Sequence, residues 1–192
     1  MTVNLPARSV PLYRETDVLV AGGGPAGIGA AAAAARNGAR VMLLEKRGFL
    51  GGNITACYVE TCNHFMQKLS FRTSGIWAEM ETKYRAQFGN SGDIRPGAPH
   101  RFSSEHLKIF LDAFVSEAGA EISLHSFVNE VAAEQGRITH VIIQSKQGPL
   151  AVRAKQIIDC SGDGDIAFAA GIPFDQGRDT DHRCQPGTLN FR

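Results

Sequence analysis

The stretch Asp17–Glu45, DVLVAGGGPAGIGAAAAAARNGARVMLLE, constrains the fold more than any other part of the chain. Asp17–Ala21 is an apolar run of strand length. It leads into Gly22-Gly23-Gly24-Pro25-Ala26-Gly27, which fits G-x-G-x-x-G through Gly22, Gly24 and Gly27. In that pattern the first glycine permits a tight turn and the second lets a pyrophosphate approach the backbone. The third lets helix and strand pack closely. A helix from Pro25 to Asn37 would aim its unpaired N–H groups and positive dipole end at the phosphates. Pro25 suits the first helical position, and Gly38 suits a left-handed C-cap. Alanine at Ala26 and Ala30–Ala35 gives this helix a thin side that can lie close on a sheet. Arg40–Glu45 reads as a second strand, apolar on both faces as a buried parallel strand should be. Glu45 then stands where an acid can accept hydrogen bonds from an adenosine ribose. Strand, turn, helix, strand and acid in this order predict a dinucleotide-binding unit.

The rest of the chain continues in α/β style. Residues 1–16, broken by Pro6 and Pro11, read as an extended lead-in. Gly51-Gly52 follows the acid closely and suits a backbone passing near a long cofactor. Residues 73–88 are predicted helical, with Ile76, Trp77, Met80, Tyr84 and Phe88 apolar, and Gly89–Pro99 is a loop by composition. Ser103 or Ser104 can cap the next helix, which carries the stripe Leu107, Phe110, Leu111, Phe114 and closes at Gly119. Glu121–His125 reads as a strand. Three short runs, Phe127–Ala133, Ile138–Ser145 and Leu150–Ala154, are separated by glycine turns and predict a β-meander. Gln156–Cys160 reads as a further buried strand ending in Ser161-Gly162-Asp163-Gly164-Asp165, and Ile166–Ala170 as a short helix before a polar tail.

Composition excludes several classes. With 20 basic and 19 acidic residues and no long basic run, the chain has no electrostatic footprint for nucleic acid. No apolar span approaches the length of a membrane helix, and the N-terminal residues lack the apolar middle of a signal peptide. Four cysteines, Cys57, Cys62, Cys160 and Cys184, do not form a disulfide-scaffold pattern, so the expected compartment is cytoplasmic.

Taken together, three motifs resemble the FAD-dependent oxidoreductases of the two-dinucleotide-binding-fold group. DVLVAGGGPAGIGAAAAAARNGARVMLLEK resembles the FAD fingerprint, RGFLGGNIT the second glycine motif, and IIDCSGDGDIAFAAG a later motif that usually reads Ala-Thr-Gly-Asp-Gly-Asp. Cys160-Ser161 stands here for Ala-Thr. The resemblance implies a Rossmann-like FAD/NAD(P)-binding fold, a parallel sheet with helices on one side and the meander on the other. It implies FAD as cofactor, held at the pyrophosphate by Gly22, Gly24, Pro25, Ala26 and Gly27. Glu45, with Lys46 beside it, would bind the adenosine ribose. Gly51, Gly52, Asn53 and Thr55 would run past the pyrophosphate and ribityl chain. Val128 would offer its backbone to adenine, and Ser161, Gly162 and Asp163 would close over the cofactor. Residues 1–192 would be an FAD-binding domain with a helical and loop insertion at about 60–100. Family members generally continue into a substrate domain and a C-terminal flavin motif, so the expectation is an incomplete domain. Catalytic side chains would come largely from that further portion, and none is assigned here.

The expected partner is a small-molecule substrate or electron carrier. Three alternatives stand beside this reading: an NAD(P)-binding dehydrogenase domain, which the opening motif alone would permit; a non-catalytic dinucleotide-binding remnant; and a flavoprotein similar to the disulfide reductases. The last would use Cys57 and Cys62, whose C-x4-C spacing matches such a redox pair. In those enzymes the first cysteine follows the glycines more closely and a glycine precedes the second, so two buried thiols are the simpler expectation. Cys57 and Cys62 with His64, or His182 with Cys184, do not supply four ligands at a zinc spacing, and no metal is expected.

Overall fold

The computed structural model describes residues 6–62, 74–89 and 100–190. Its centre is a six-stranded sheet built from β1 (Leu12–Ala21), β2 (Val41–Leu44), β5 (Glu121–Ser123), β6 (Phe127–Glu134), β7 (Arg137–Ser145) and β8 (Gly148–Asp159). The order is β5-β2-β1-β8-β7-β6. β5, β2, β1 and β8 run parallel, and the β8–β7 and β7–β6 pairs are antiparallel.

Side chains alternate across this sheet, and the alternation assigns a layer to each face. Val20, Val41 and Leu43 point to the helical face. There they meet Ile28, Ala31 and Ala32 of α1 (Pro25–Arg36) and the predicted stripe of α4 (Ser104–Glu117), Leu107, Phe110, Leu111 and Phe114. Leu19, Ala21, Met42 and Leu44 point the other way, against Val141 and Ile143 of β7 and Val152 of β8. The meander is thus hydrogen-bonded into the sheet through β8 and packed over its second face, as the α/β expectation required.

Several strand boundaries differ from the sequence reading. Leu150–Ala154 and Gln156–Cys160 are not separate strands: β8 runs unbroken from Gly148 to Asp159. Its first half pairs with β7, and its length lies along β1. For the same reason β1 starts at Leu12, five residues before the apolar run, because Leu12–Thr16 finds partners at Ala151–Ala154. The far end of β8 is less buried than a central strand, with Ile158 37% exposed. β5 ends at Ser123 rather than His125, which turns the chain at φ 52°.

Within the 60–100 region, α3 (Gly75–Phe88) packs an aromatic cluster under α4. Tyr84 meets Phe102 and Phe110 edge-on, at centroid distances of 4.9 and 5.6 Å. The Tyr84 hydroxyl accepts the Ser103 N–H at 3.0 Å, just before α4 begins. Two-residue strands β3 (Thr61–Cys62) and β4 (His100–Arg101) pair antiparallel. The Gly89–Pro99 loop lies outside the described residues apart from Gly89. α2 (Asn53–Ala56) and α5 (Asp165–Ala169) are single short turns beside the C-terminal strand ends. Among the described residues no helix is long and apolar enough to cross a membrane.

Candidate functional site

β1, β2 and β8 end at one edge of the sheet, and the glycine turn sits above them. Gly22 takes φ 105°, and its N–H donates to Leu44 O at 2.8 Å. The three motif glycines divide into two roles. A Cβ on Gly22 would fall 2.2 Å from Cys160 O, and one on Gly27 would fall 1.8 Å from Gly22 O. Those two glycines permit backbone to pass against backbone. At Gly24, where α1 begins, a Cβ would meet nothing within 4 Å. That side of the turn is open, as a phosphate-cradling backbone should be.

Glu45 ties this turn to the next. Its carboxylate is buried and accepts the Gly23 N–H through Oε2 and the Arg47 N–H through Oε1, both at 2.8 Å. The second glycine pair docks directly on the first, with Gly51 N–H donating to Gly23 O at 2.8 Å. Gly51 is held at φ 111° above Thr55, whose hydroxyl donates to Leu50 O at 2.7 Å. On the third side Asp159 organises the Ser161–Asp165 turn. Its Oδ1 accepts from the N–H and hydroxyl of Ser161, and its Oδ2 from the N–H groups of Ile166 and Ala167. Burial would raise the Asp159 carboxyl, but these hydrogen bonds outweigh it and hold the group below its ordinary range.

The three turns and the start of β6 enclose a cleft of about 390 Å³, within the range of small-molecule sites. Gly22, Gly24, Pro25, Ala26, Glu45, Lys46, Gly52, Asn53, Val128, Ser161, Gly162 and Asp163 line it. Their convergence on one cavity from four separate chain segments decides the type of site. The matching family is the FAD-dependent oxidoreductases, over residues 17–192. The chain belongs to that family.

The names of similar proteins describe different activities. The chain is 30% identical to a thiamine thiazole synthase of Aeropyrum pernix over 167 residues, covering 80% of this chain and 57% of that protein. It is 28% identical to digeranylgeranylglycerophospholipid reductase 2 of Methanopyrus kandleri, covering 82% of this chain and 40% of that protein. Among solved structures, a geranylgeranyl bacteriochlorophyll reductase-like protein of Thermoplasma acidophilum matches with TM-score 0.57 and 22% identity, over 82% of this chain and 42% of that one. The THI4 structure of Thermovibrio ammonificans matches with TM-score 0.57 and 21% identity, over 85% and 66%. The chain therefore spans about half the length of the curated relatives it matches.

The family's cofactor is FAD, and the open side of Gly24 together with the cleft is a cradle that fits a dinucleotide. Three of the residues the sequence pointed to do not reach that cavity. Gly27 lies beneath the turn, and Gly51 and Thr55 lie behind it, so all three shape the backbone that others present. The cleft also takes in Arg47, Ser126, Phe127, Cys160 and Asp165, to which the sequence reading gave no cofactor role. Ser126 arrives through tertiary pairing: its N–H donates to Glu45 O at 2.9 Å.

The expectation of a buried thiol fails at Cys57, which is exposed with its Sγ 3.7 Å from Asn53 Oδ1. The side chain of Cys62 and all of His64 lie outside the described residues. Burial pushes the Cys160 thiol up, and nearby Asp159 adds to the effect, which keeps it a neutral wall of the cleft.

Proposed function

We propose that residues 1–192 form an FAD-binding domain of an oxidoreductase, passing hydride or electrons between a small-molecule partner and the flavin. The carrying observation is the single cleft that gathers both glycine turns, Glu45 and the Ser161–Asp163 turn. Glu45, Lys46 and Arg47 with Ser126, Phe127 and Val128 supply the adenosine end. Gly22, Gly24, Pro25, Ala26, Gly52 and Asn53 supply the pyrophosphate end, and Ser161, Gly162 and Asp163 close the cofactor from the opposite side. The flavin, when bound, contributes the redox chemistry, while the protein binds and orients it. The names of the relatives diverge in substrate, whereas the family as a whole is described by its dependence on FAD, which favours flavin binding as the task of this portion. The region at 60–100 is read as an insertion beside the cofactor domain. We place the protein in the cytoplasm, where thiols such as Cys57 and Cys160 stay reduced.

Equilibrium titration with FAD, FMN and NADH tests the proposal. FAD should bind far more tightly than FMN, because FMN lacks the adenosine that Glu45 and Val128 would meet. Equal affinity for FMN, or preference for NADH, would contradict it.

A further inference from the structure

The turn between β5 and β6 runs beside the segment that follows β2, and three backbone hydrogen bonds join the two. Glu45 N–H donates to Ser123 O at 2.9 Å, Ser126 N–H to Glu45 O at 2.9 Å, and His125 N–H to Arg47 O at 3.1 Å. Both sides of this seam reach the cleft, Lys46 and Arg47 from one and Ser126, Phe127 and Val128 from the other.

Two residues at the seam have identities that the backbone does not explain. His125 sits at φ 52°, a left-handed conformation that costs a residue with a Cβ and that glycine takes freely. It is also exposed, so core packing does not call for an imidazole there. Gly48 is the reverse case: its φ lies outside the left-handed region, so its conformation does not require glycine. The two explain one another. A Cβ on Gly48 would stand 2.9 Å from both Cε1 and Nε2 of His125, so the imidazole fills the space of the missing side chain. The ring thus seats on the Lys46–Gly48 loop that His125 N–H already holds through Arg47 O. Left-handed non-glycine residues persist where neighbours fix them, and they gather at ligand sites.

We infer that His125 is a positioning residue for the adenosine end of the cofactor, its imidazole seated on Gly48 so that Lys46 and Arg47 face Ser126–Val128 across the cleft. This rests on the flavin-binding reading above. His125 does not line the cleft, so its effect passes through the backbone of Lys46–Gly48.

The test is a double-variant cycle of His125→Gly and Gly48→Ala, reading melting temperature without cofactor and affinity for FAD and for ADP. ADP carries the adenosine and pyrophosphate without the flavin, so an effect confined to this end changes both affinities by the same factor. His125→Gly relieves the left-handed backbone and removes an exposed ring, so it should melt close to the wild-type temperature. It should bind FAD and ADP about tenfold more weakly. Gly48→Ala, whose methyl group displaces the ring, should show the same loss. Together they should lose no more than either alone, because both remove the same contact. His125→Gly decides by itself if Gly48→Ala does not fold. The inference is overturned if His125→Gly binds ADP like wild type, if its weaker binding comes with a clearly lower melting temperature, or if the two losses add. A wild-type protein that binds neither FAD nor ADP overturns the proposed function itself, and the inference with it.

Discussion

Glu45 Oε2 accepts the Gly23 N–H at 2.8 Å, so the acid at the end of β2 is bound to the glycine turn before any ribose is considered. Its second oxygen holds the Arg47 N–H, and each carboxylate oxygen keeps a further lone pair. Glu45 can therefore brace two loops and still accept from a ligand. Replacing it with Ala should weaken FAD binding and cost about 1–3 kcal/mol, since two buried donors lose their acceptor. Glu45→Gln keeps one oxygen and should fall between. Chemical denaturation beside FAD titration measures both effects, and an unchanged stability would contradict the brace.

The three glycines should separate cleanly. Alanine at Gly22 or Gly27 drives a Cβ into backbone at 2.2 or 1.8 Å and should cost roughly 2–5 kcal/mol or prevent folding. Alanine at Gly24 meets nothing, so the protein should fold with near-wild-type melting and lose FAD affinity. Equal melting losses at all three positions would refute these assignments.

Asp159 predicts an acid limb. Its folded carboxyl lies below the ordinary range, so its contribution is fully present above the value for an unfolded aspartate. That contribution is lost as pH falls through the lower, folded value. Melting temperature should therefore drop at the acid end, and Asp159→Asn should flatten part of that drop while lowering stability at neutral pH. A variant with an unaltered acid limb would count against the network around Ser161.

Tyr84→Phe supplies the contrasting case. The hydroxyl accepts the Ser103 N–H in the aromatic cluster, away from the cleft. Its loss should cost about 1–2 kcal/mol of stability while FAD affinity stays within error. A matching loss of affinity would mean that the α3–α4 cluster is coupled to the site.

Much of this site was legible because its parts are local. Gly22, Gly24 and Gly27 do their work within six residues, and Glu45 follows at a distance fixed by one helix and one strand. What stayed hidden depends on pairing between distant segments. Lys155 and its exposed neighbours interrupt the apolar pattern of Leu150–Cys160, so one strand reads as two until β1 is seen alongside it. Ser126 and Phe127 follow the sharp turn at His125, and no motif marks them. Thr55 shows the opposite error: its motif position is informative, yet its hydroxyl is spent on Leu50 O.

The most direct test is the visible spectrum of the purified, FAD-reconstituted protein after removal of free cofactor. The account predicts a retained flavin band that bleaches with dithionite, present in wild type and absent in Gly24→Ala protein of unchanged melting temperature. A colourless wild-type protein that retains NADH but not FAD would contradict it.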